Sequence, residues 1–421
     1  MKCETARLSA RKWVLNLTRA ALLTMLAQAV TLPAVGAAVT IYPTITSMTS
    51  SADRMISYRN QQHSWQTTDG AIHIMINRGN VDTGDALALF SSYDGGVTWL
   101  PMFTLAGTDQ FSTSDGILAN LGTTGTNLLL TYATAQSTGM IMYVSATYNS
   151  AAHSWTVAPA QVAFSSPNVQ ASNPAFANDT VGNFWCGFTA ENLTTLQYQE
   201  MMVMRLARGA TWTTTTLVFG SINSSTQHSA RPVTYTNGIA MLYQDGLNMY
   251  WAYRLTAQPV NTPWVTTLVF VGLPPYNEDP YGTHYSVIAD TANNLHMAII
   301  ANMQLIYMRY LNSTGVWGPP RALTTTTINA AYSQATLAGG NLMLMVNNLS
   351  SLEVFQSTDS GNTFTLTQAL RHVTPPPGST LDYTNPRVEA PGRSTSPVPV
   401  FQQFANAGTQ GLMFFQVPVV K

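Results

Sequence analysis

Arginine, histidine and tyrosine residues recur along the sequence at similar positions, just ahead of a series of short apolar segments. A planar guanidinium group holds a carboxylate bidentately, and histidine or tyrosine can transfer a proton as a general acid or base. Together these side chains could bind a carboxylated ligand and act on it. The candidate positions are Arg59, His63, His228, Arg231, Glu278, Asp279, His284, Tyr285, Tyr332, Tyr383 and Arg387.

Residues so far apart in the sequence need a scaffold that brings them together, and an internal repeat supplies one. A turn followed by an apolar strand recurs six times clearly and a seventh time in degenerate form. A period of about 40 to 55 residues is typical of propeller blades. The copies begin near Thr68, Gly125, Asp179, Thr236, Asp290 and Gly339, and the degenerate copy lies around 396–401.

An aromatic residue follows each copy at the position expected to close a blade. Strand-forming residues fill the periodic stretches, and helix signals are scarce. The sequence therefore predicts an all-β fold, a β-propeller of four-stranded blades around a central channel, in one domain over residues 39–421. Seven blades are expected, with six as the alternative, and residues 40–45 are available to complete the last blade. The blade-closing aromatic residues are Trp99, Trp155, Trp212, Trp264, Trp317, Phe364 and Phe415.

A tight turn at residues 92–99 returns at residues 357–364, and both copies read S-x-D-x-G-x-T-aromatic. The Asp and hydroxyl side chains can bond the amides of the turn, and the terminal aromatic residue anchors it against the next sheet. The motif resembles the Asp box, or BNR repeat, of the sialidase superfamily and related β-propellers. The resemblance implies a structural role at the outer edge of a blade, away from the substrate site, for Asp94, Trp99, Asp359 and Phe364.

The opening blade resembles that family over about fifty residues. In sialidases an Arg heads the first strand, and an Asp acid follows on the next loop. The resemblance implies that Arg59 binds the substrate carboxylate and that Asp82, with Asp85 as the alternative, is the acid and water-activating residue. Such a site would hydrolyse the glycosidic bond of a carboxylated sugar such as sialic acid. The other expected substrate-binding residues are His63, His228, Arg231 and Arg387.

Two other functions fit the same architecture. Some propellers that resemble this chain are polysaccharide lyases, in which a His or Tyr abstracts the proton α to a uronate carboxylate and an Arg neutralises that carboxylate. His284 and Tyr285 would then be catalytic beside His228 and Arg231, if their blades face one another. A non-catalytic propeller would instead bind a glycan through amide hydrogen bonds and through stacking on Trp65, Trp251 or Tyr250.

Charged residues make up only 9% of the 421 residues, and the net charge is -1. This composition gives no electrostatic footprint for nucleic acid. The expected partner, a glycan or anionic sugar, is what the resemblance to sialidases and polysaccharide lyases implies. Cys186 is the one cysteine beyond the first forty residues, which excludes an intrachain disulfide and a cysteine-based zinc cluster in a processed chain. No cofactor or metal site is predicted, and the chain is expected to be a monomer.

Residues 1–38 have the composition of a secretory signal peptide. Basic residues precede the apolar run 20–30, and the small residues 35–38 offer a cleavage site. The apolar run is shorter than the roughly 20 residues that span a bilayer. We therefore expect export to the periplasm, the cell surface or the medium, with no membrane span after cleavage.

Overall fold

The computed structural model of the chain describes residues 39–41, 45, 48–52, 54–56, 60–79, 85–119, 126–207, 209, 211–213, 216–223, 228–236, 238–259, 262–271, 285–301, 304–323, 332–347, 351–371, 381–382, 387–406 and 409–420. These residues form 33 strands and no helix. The strands are β1 (Thr40–Ile41), β2 (Thr49–Ser50), β3 (Ser64–Gln66), β4 (Ile72–Asn77), β5 (Leu87–Ser92), β6 (Leu100–Thr104), β7 (Ser114–Ala119), β8 (Thr126–Ala133), β9 (Ile141–Asn149), β10 (Ser154–Val157), β11 (Gln161–Phe164), β12 (Val169–Asn178), β13 (Phe184–Asn192), β14 (Gln197–Arg205), β15 (Leu217–Asn223), β16 (Ala230–Tyr235), β17 (Gly238–Asp245), β18 (Asn248–Leu255), β19 (Val265–Val271), β20 (Tyr285–Ala289), β21 (Leu295–Ala301), β22 (Gln304–Leu311), β23 (Val316–Trp317), β24 (Arg321–Ala322), β25 (Tyr332–Ala338), β26 (Asn341–Asn347), β27 (Ser351–Ser357), β28 (Thr365–Arg371), β29 (Leu381–Asp382), β30 (Val388–Glu389), β31 (Arg393–Ser394), β32 (Val398–Asn406) and β33 (Thr409–Val417).

The strands form seven sheets, which are the blades of a β-propeller. Blades one to six follow one another along the chain as β3–β6, β7–β11, β12–β15, β16–β19, β20–β24 and β25–β28, and blade seven contains β29, β30, β32 and β33 with β1 and β2. Every blade has four strand positions, because the extra members of blades two, five and seven are halves of a divided strand; β31 adds to blade six beside β25. The predicted all-β fold with seven blades is therefore confirmed.

The ring is closed by strands from opposite ends of the domain. Thr40 and Ile41 of β1 pair with Gln416 and Phe415 of β33, and the Ile45 amide donates to the Leu412 carbonyl at 3.0 Å. The prediction that residues 40–45 help to complete the last blade agrees with this pairing, although residues 42–44 lie outside the described residues. Closure by pairing makes the last blade depend on both ends of the domain.

Central strands of the blades are buried on both faces, because each blade is packed between two others. All six residues of β4 and all seven residues of β21 are buried, which explains their nearly continuous apolar sequences. The blade-closing aromatic residues pack on the preceding blade. These contacts join Trp99 to Phe414, Trp155 to His73, Trp212 to Tyr143, Trp264 to Trp185, Trp317 to Trp251 and Phe364 to Tyr307.

The two repeated turns have the same internal hydrogen bonds. In the first turn the Asp94 carboxylate accepts the Thr98 amide at 2.9 Å and the Thr98 hydroxyl at 2.6 Å. In the second, Asp359 accepts the amide and the hydroxyl of Thr363 at 2.8 and 2.6 Å. Each turn lies between the third and fourth strands of its blade. Both carboxylates accept hydrogen bonds from the turns that they stabilise.

Candidate functional site

An open cleft of about 520 Å³ lies over blades one, two and three; it is called the mouth cleft below. Thr113 of its lining precedes the inner strand β7, and Ala133 ends β8, so the cleft lies on the face where the inner strands begin. The described lining is mostly neutral amides and hydroxyls, with one arginine, one glutamate and two large aromatic rings. It includes Arg54, Gln110, Phe111, Gln136, Gln170, Asn173, Glu191 and Tyr198.

Asp109 shapes the loop that carries Phe111 to the rim of the mouth cleft. Its carboxylate accepts hydrogen bonds from the amides of Phe111 and Gln136 at 2.9 and 3.0 Å and from the Ser112 hydroxyl at 3.2 Å. Asn77 Nδ2 donates to the carbonyls of Asp109 and Ser112, both at 2.9 Å. Phe111 itself is 60% exposed. The loop therefore presents an aromatic ring to solvent on an ordered backbone.

A bulge in β12 forms another part of the cleft lining. The register of β12 against β13 shifts between Ser172 and Ala175, and Asn173 takes the left-handed conformation with φ 52°. Gly139, with φ 53°, approaches this strand so closely that a Cβ atom there would lie 2.9 Å from the Gln170 Cα. Only glycine fits that position without a shift of the backbone.

Tyr198 and Glu191 stand opposite each other on β14 and β13, and both line the mouth cleft. Behind Tyr198 lies His228, with the two ring centroids 5.7 Å apart and the ring planes 27° apart. His228 Nδ1 is 2.7 Å from Glu200 Oε1, and both of these side chains are fully buried. This part of the cleft lining therefore rests on a buried histidine–glutamate pair.

Burial shifts the pKa values of two groups at this point. It raises the pKa of Glu200 to about 7, against the lowering effect of the hydrogen bond and charge of His228. It also raises the pKa of Tyr198, and the nearby Glu191 adds to that effect. At neutral pH the Tyr198 phenol is therefore protonated and can donate a hydrogen bond into the cleft.

Residues 60–64 cross the central channel and lead into β3, which begins at Ser64. Asp115 of β7 accepts the Gln62 amide at 2.5 Å. Glu389 of β30 accepts Gln62 Nε2 at 2.7 Å and the His63 amide at 3.2 Å. The segment is thereby fastened to blades two and seven, the neighbours of blade one, and the carboxylates that hold it are buried.

Arg231 and Tyr285, two of the predicted site residues, lie together in this channel. Arg231 Nη1 donates to the Asn60 carbonyl and is 3.4 Å from Asp115 Oδ2. The same carboxylate accepts the Phe176 amide of β12 at 2.6 Å. Tyr285 is fully buried, and burial raises its pKa to about 12 against the lowering effect of its polar neighbours. The structure brings these predicted residues together, with Tyr285 fully buried and Arg231 partly buried.

His63 and Arg387 also have protein partners inside the channel. His63 Nδ1 is 3.3 Å from Glu389 Oε2. Arg387 Nη1 donates to the Ile56 carbonyl at 3.1 Å, and its guanidinium carbon lies 5.2 Å from the centroid of the Tyr332 ring. Both predicted residues are buried. His63 contacts β30, and Arg387, just ahead of β30, contacts Ile56 and the first residue of β25.

The remaining predicted residues either lie away from the mouth cleft or have no described position, and the roles of the latter remain predictions. Asp85, the alternative acid, accepts the Gly107 amide at 3.3 Å and is not among the cleft lining. Trp65 and Trp251, considered for stacking, are buried in the core, so neither offers a surface to a ligand. The residues outside the described ranges are Arg59, Asp82, Glu278, Asp279, His284 and Tyr383.

The residues of the mouth cleft and the central channel that were not found from the sequence include Asp115, Phe111, Tyr198 and Glu389. Asp115 occupies the inner-strand phase of blade two that Arg231 occupies in blade four, so an alignment of the repeats could have found it. Phe111 and Tyr198 lie on a loop and on the third strand of a blade, where no motif marks them. Glu389 lies on a strand of only two residues, which gives no periodic signal.

No cluster of three or more His, Cys, Asp or Glu side chains suited to a metal ion occurs in the described part of the chain. The same residues include no helix with the length and apolar character needed to cross a bilayer.

Comparisons with known proteins support the fold. No protein-family model and no curated protein matches the chain. A ulvan lyase described as a new family of polysaccharide lyase, solved bound to -[GlcA(1-4)Rha3S]-, is 10% identical over 90% of this chain and 96% of its own, with a TM-score of 0.55. A second structure of such an enzyme has the same coverage and identity and a TM-score of 0.54.

An alpha-L-arabinanase from Penicillium chrysogenum, complexed with arabinobiose, is 12% identical over 76% of this chain and 98% of its own, with a TM-score of 0.46. Identities this low indicate likeness of fold alone. The β-propeller fold of the chain therefore resembles that of the two ulvan lyase structures.

Proposed function

We propose that the protein binds a glycan in the mouth cleft over blades one to three. The observation that carries this proposal is the lining of the cleft, which combines amide side chains with the exposed ring of Phe111 and the half-buried ring of Tyr198. In the buried channel, in contrast, the carboxylates of Asp115 and Glu389 already accept hydrogen bonds from the protein.

The chemistry of the lining suits a carbohydrate. Amides both donate and accept hydrogen bonds, as sugar hydroxyls do. Gln110, Gln136 and Gln170 can therefore either donate hydrogen bonds to the hydroxyl groups of a ligand or accept them. Aromatic rings provide flat apolar surfaces for the C–H faces of a sugar. The cleft volume of about 520 Å³ lies within the ordinary range for ligand sites.

Arg54 favours an acidic glycan over a neutral one. It is the arginine of the described cleft lining, and guanidinium groups recognise carboxylates and sulfates through paired hydrogen bonds. Glu191 can accept hydrogen bonds from hydroxyl groups of the same ligand. We therefore propose a carboxylated or sulfated sugar as the preferred ligand class.

Catalysis is a further proposal. Hydrolysis of a carboxylated sugar such as sialic acid is the first candidate, because Arg59 and Asp82 match the opening blade of the sialidase superfamily. Sialidases are an exception to the usual pair of acidic groups, because a tyrosine activated by a carboxylate replaces the acidic nucleophile. Glu191, opposite Tyr198, is the glutamate of the described cleft lining, and Asp82 would supply the acid.

The proposal also includes export of the chain, since residues 1–38 have the pattern of a secretory signal. An exported monomer with a neutral polar surface is suited to meet glycans outside the cell.

Isothermal titration with a panel of neutral, carboxylated and sulfated oligosaccharides tests glycan binding. We expect the wild type to bind an acidic member of the panel, and we expect Tyr198→Ala and Gln170→Ala to weaken that binding. Tyr250→Ala is the matched control, because Tyr250 is a partly buried tyrosine of β18 outside the mouth cleft. A folded wild type that binds no member of the panel would overturn the proposal.

The same panel separates the enzymatic candidates. Hydrolysis of a fluorogenic sialoside that disappears in both Arg59→Ala and Asp82→Asn would support the sialidase-like reaction. An unsaturated uronate product, detected by its ultraviolet absorbance, would show β-elimination instead. Binding without either product would assign a non-catalytic role.

A further inference from the structure

His228 and Glu200 lie behind one residue of the mouth cleft and have no described contact with the cleft themselves. Tyr198 and Glu200 are two positions apart on β14, so their side chains leave the same face of the strand. His228 precedes β16 of the next blade and reaches both of them, as a stacked ring to Tyr198 and as a hydrogen-bond partner to Glu200.

We propose that His228 and Glu200 are positioning residues, which hold Tyr198 in the wall of the mouth cleft at the angle that its ligand requires. The ligand part of this inference rests on the proposed glycan binding. The support of Tyr198 by the pair rests on the geometry of the described residues alone.

The pair is tightly enclosed, so its internal hydrogen bond determines its orientation. A Cβ atom at Gly220 would lie 2.8 Å from Glu200 Oε2, which places the backbone of β15 against this carboxylate. Among the described residues Glu200 Oε2 has no hydrogen-bond partner, so Oε1, through His228, carries the hydrogen bond of this carboxylate. Because the His228 ring also stacks on Tyr198, we expect a change in that bond to alter the position of the Tyr198 ring.

A second stacked tyrosine–histidine–carboxylate group provides an internal control. Tyr307 and His296 have ring centroids 6.1 Å apart and planes 19° apart, and His296 Nε2 is 3.1 Å from Asp290 Oδ2. Tyr307 is buried, however, and Asp290 also binds the amides of Ala292 and Asn294, both at 2.8 Å. This group lies at the opposite face of the propeller, where Asp290 holds the turn that follows β20 and lines, with His296, a separate cleft.

The charge state of Glu200 links the position of Tyr198 to pH. An ionised carboxylate accepts a charge-assisted hydrogen bond from His228, whereas a protonated one makes a weaker, neutral bond. Burial puts this change near neutrality, with a pKa of about 7 for Glu200. The other titratable groups that act on the carboxylate are Asp245 and Tyr243 of β17.

Ring signals of Tyr198 in full-length protein with labelled tyrosine, assigned through Tyr198→Phe, test the support directly. We expect them to shift with pH around a midpoint of about 7 in the wild type and to lose that shift in Glu200→Gln. His228→Asn, which removes the stacked ring, should move the Tyr198 signals at every pH. Asp290→Asn is the control and should leave them unchanged.

Affinity for sialyllactose and for an oligoglucuronate tests the link to the ligand. We expect binding about fivefold tighter above pH 7 than below it, with Glu200→Gln fixed at the weaker value at every pH. Equal affinity of the wild type and Glu200→Gln above pH 7, or a Tyr198 signal that does not titrate, would overturn the inference. If neither glycan binds at any pH while the ring signals of Tyr198 still shift with pH, the proposed function would be overturned and the support of Tyr198 by the pair would stand.

Discussion

A tyrosine, a carboxylate and an arginine occur together both in the mouth cleft and in the central channel, and of these two regions the cleft is the open one. In the mouth cleft, Tyr198, Glu191 and Arg54 line a space that a ligand can enter. In the central channel, Tyr285 and Asp115 are fully buried, and Arg231 is engaged by Asp115 and by a backbone carbonyl. The difference lies in exposure and in how many protein partners each carboxylate has.

This comparison indicates what the channel groups are for. Buried carboxylates must be paired and hydrogen-bonded, and Asp115 meets that demand by accepting two backbone amides and the contact with Arg231. The channel cluster is therefore expected to stabilise the ring of blades, and the cleft cluster to bind a ligand. Each prediction below sets one region against the other.

The largest expected difference is in stability. Asp115→Ala would leave two buried amides and a partly buried guanidinium without their acceptor, at a cost of about 3 to 5 kcal/mol in the free energy of unfolding. Glu191→Ala removes a half-exposed carboxylate of the cleft and should change stability by about 0.5 kcal/mol or less. Urea unfolding of both variants measures the difference, and equal effects would contradict the assignment of the two regions.

The next effect is a pH dependence of stability due to Glu200. Its folded pKa of about 7 lies above its ordinary value of 4.5, so its stabilising contribution is complete below about pH 4.5 and is lost as the pH rises through 7. Glu200→Gln keeps the neutral form, so it should be more stable than the wild type above pH 7 by about 3 kcal/mol at most. Unfolding curves at several pH values should converge for the two proteins at acidic pH; parallel curves would contradict the shift.

Tyrosine substitutions separate the regions by affinity. Tyr198→Ala should weaken glycan binding by about tenfold, since the cleft loses a ring and a hydroxyl donor. Tyr285→Phe removes a buried hydroxyl in the channel and should leave the affinity unchanged. Titration calorimetry with the tightest glycan of the panel gives both values. A loss of affinity in Tyr285→Phe alone would reverse the roles of the two regions.

A smaller effect is expected at the rim of the cleft. Phe111→Ala should weaken binding by about threefold, because the ligand loses one aromatic surface on which a sugar ring can stack. Leu100→Ala is the matched control, as an exposed apolar side chain of β6 away from the cleft. Neither change should alter the unfolding midpoint. An equal response in the two variants would exclude a specific role for Phe111.

The sequence was sufficient to predict the architecture, because a propeller repeats a local signal. Turn, apolar strand and blade-closing aromatic residue recur within about fifty residues, and each aromatic residue packs on the blade before it. The pairing of residues 40 and 41 with β33 could also be predicted, since a closed ring leaves no other partner for the final edge.

The sites were less predictable, because exposure depends on contacts between distant parts of the chain. His63 and Arg231 occur at the phase expected for a channel mouth, but residues 60–64 cross the channel, where Glu389 accepts the His63 amide and the Asn60 carbonyl accepts a hydrogen bond from Arg231. Nothing in a local pattern shows that crossing. Tyr198, in contrast, lies on a third strand, and it reaches the mouth cleft through packing between blades three and four.

Hydrogen–deuterium exchange with and without the tightest glycan of the panel tests most directly whether the mouth cleft is the binding site. Binding there should slow exchange in residues 109–113, 170–173 and 189–198, with the rest of the propeller unchanged. Protection that is confined to residues 60–64 and the inner strands, or to the opposite face, would contradict the assignment of the mouth cleft.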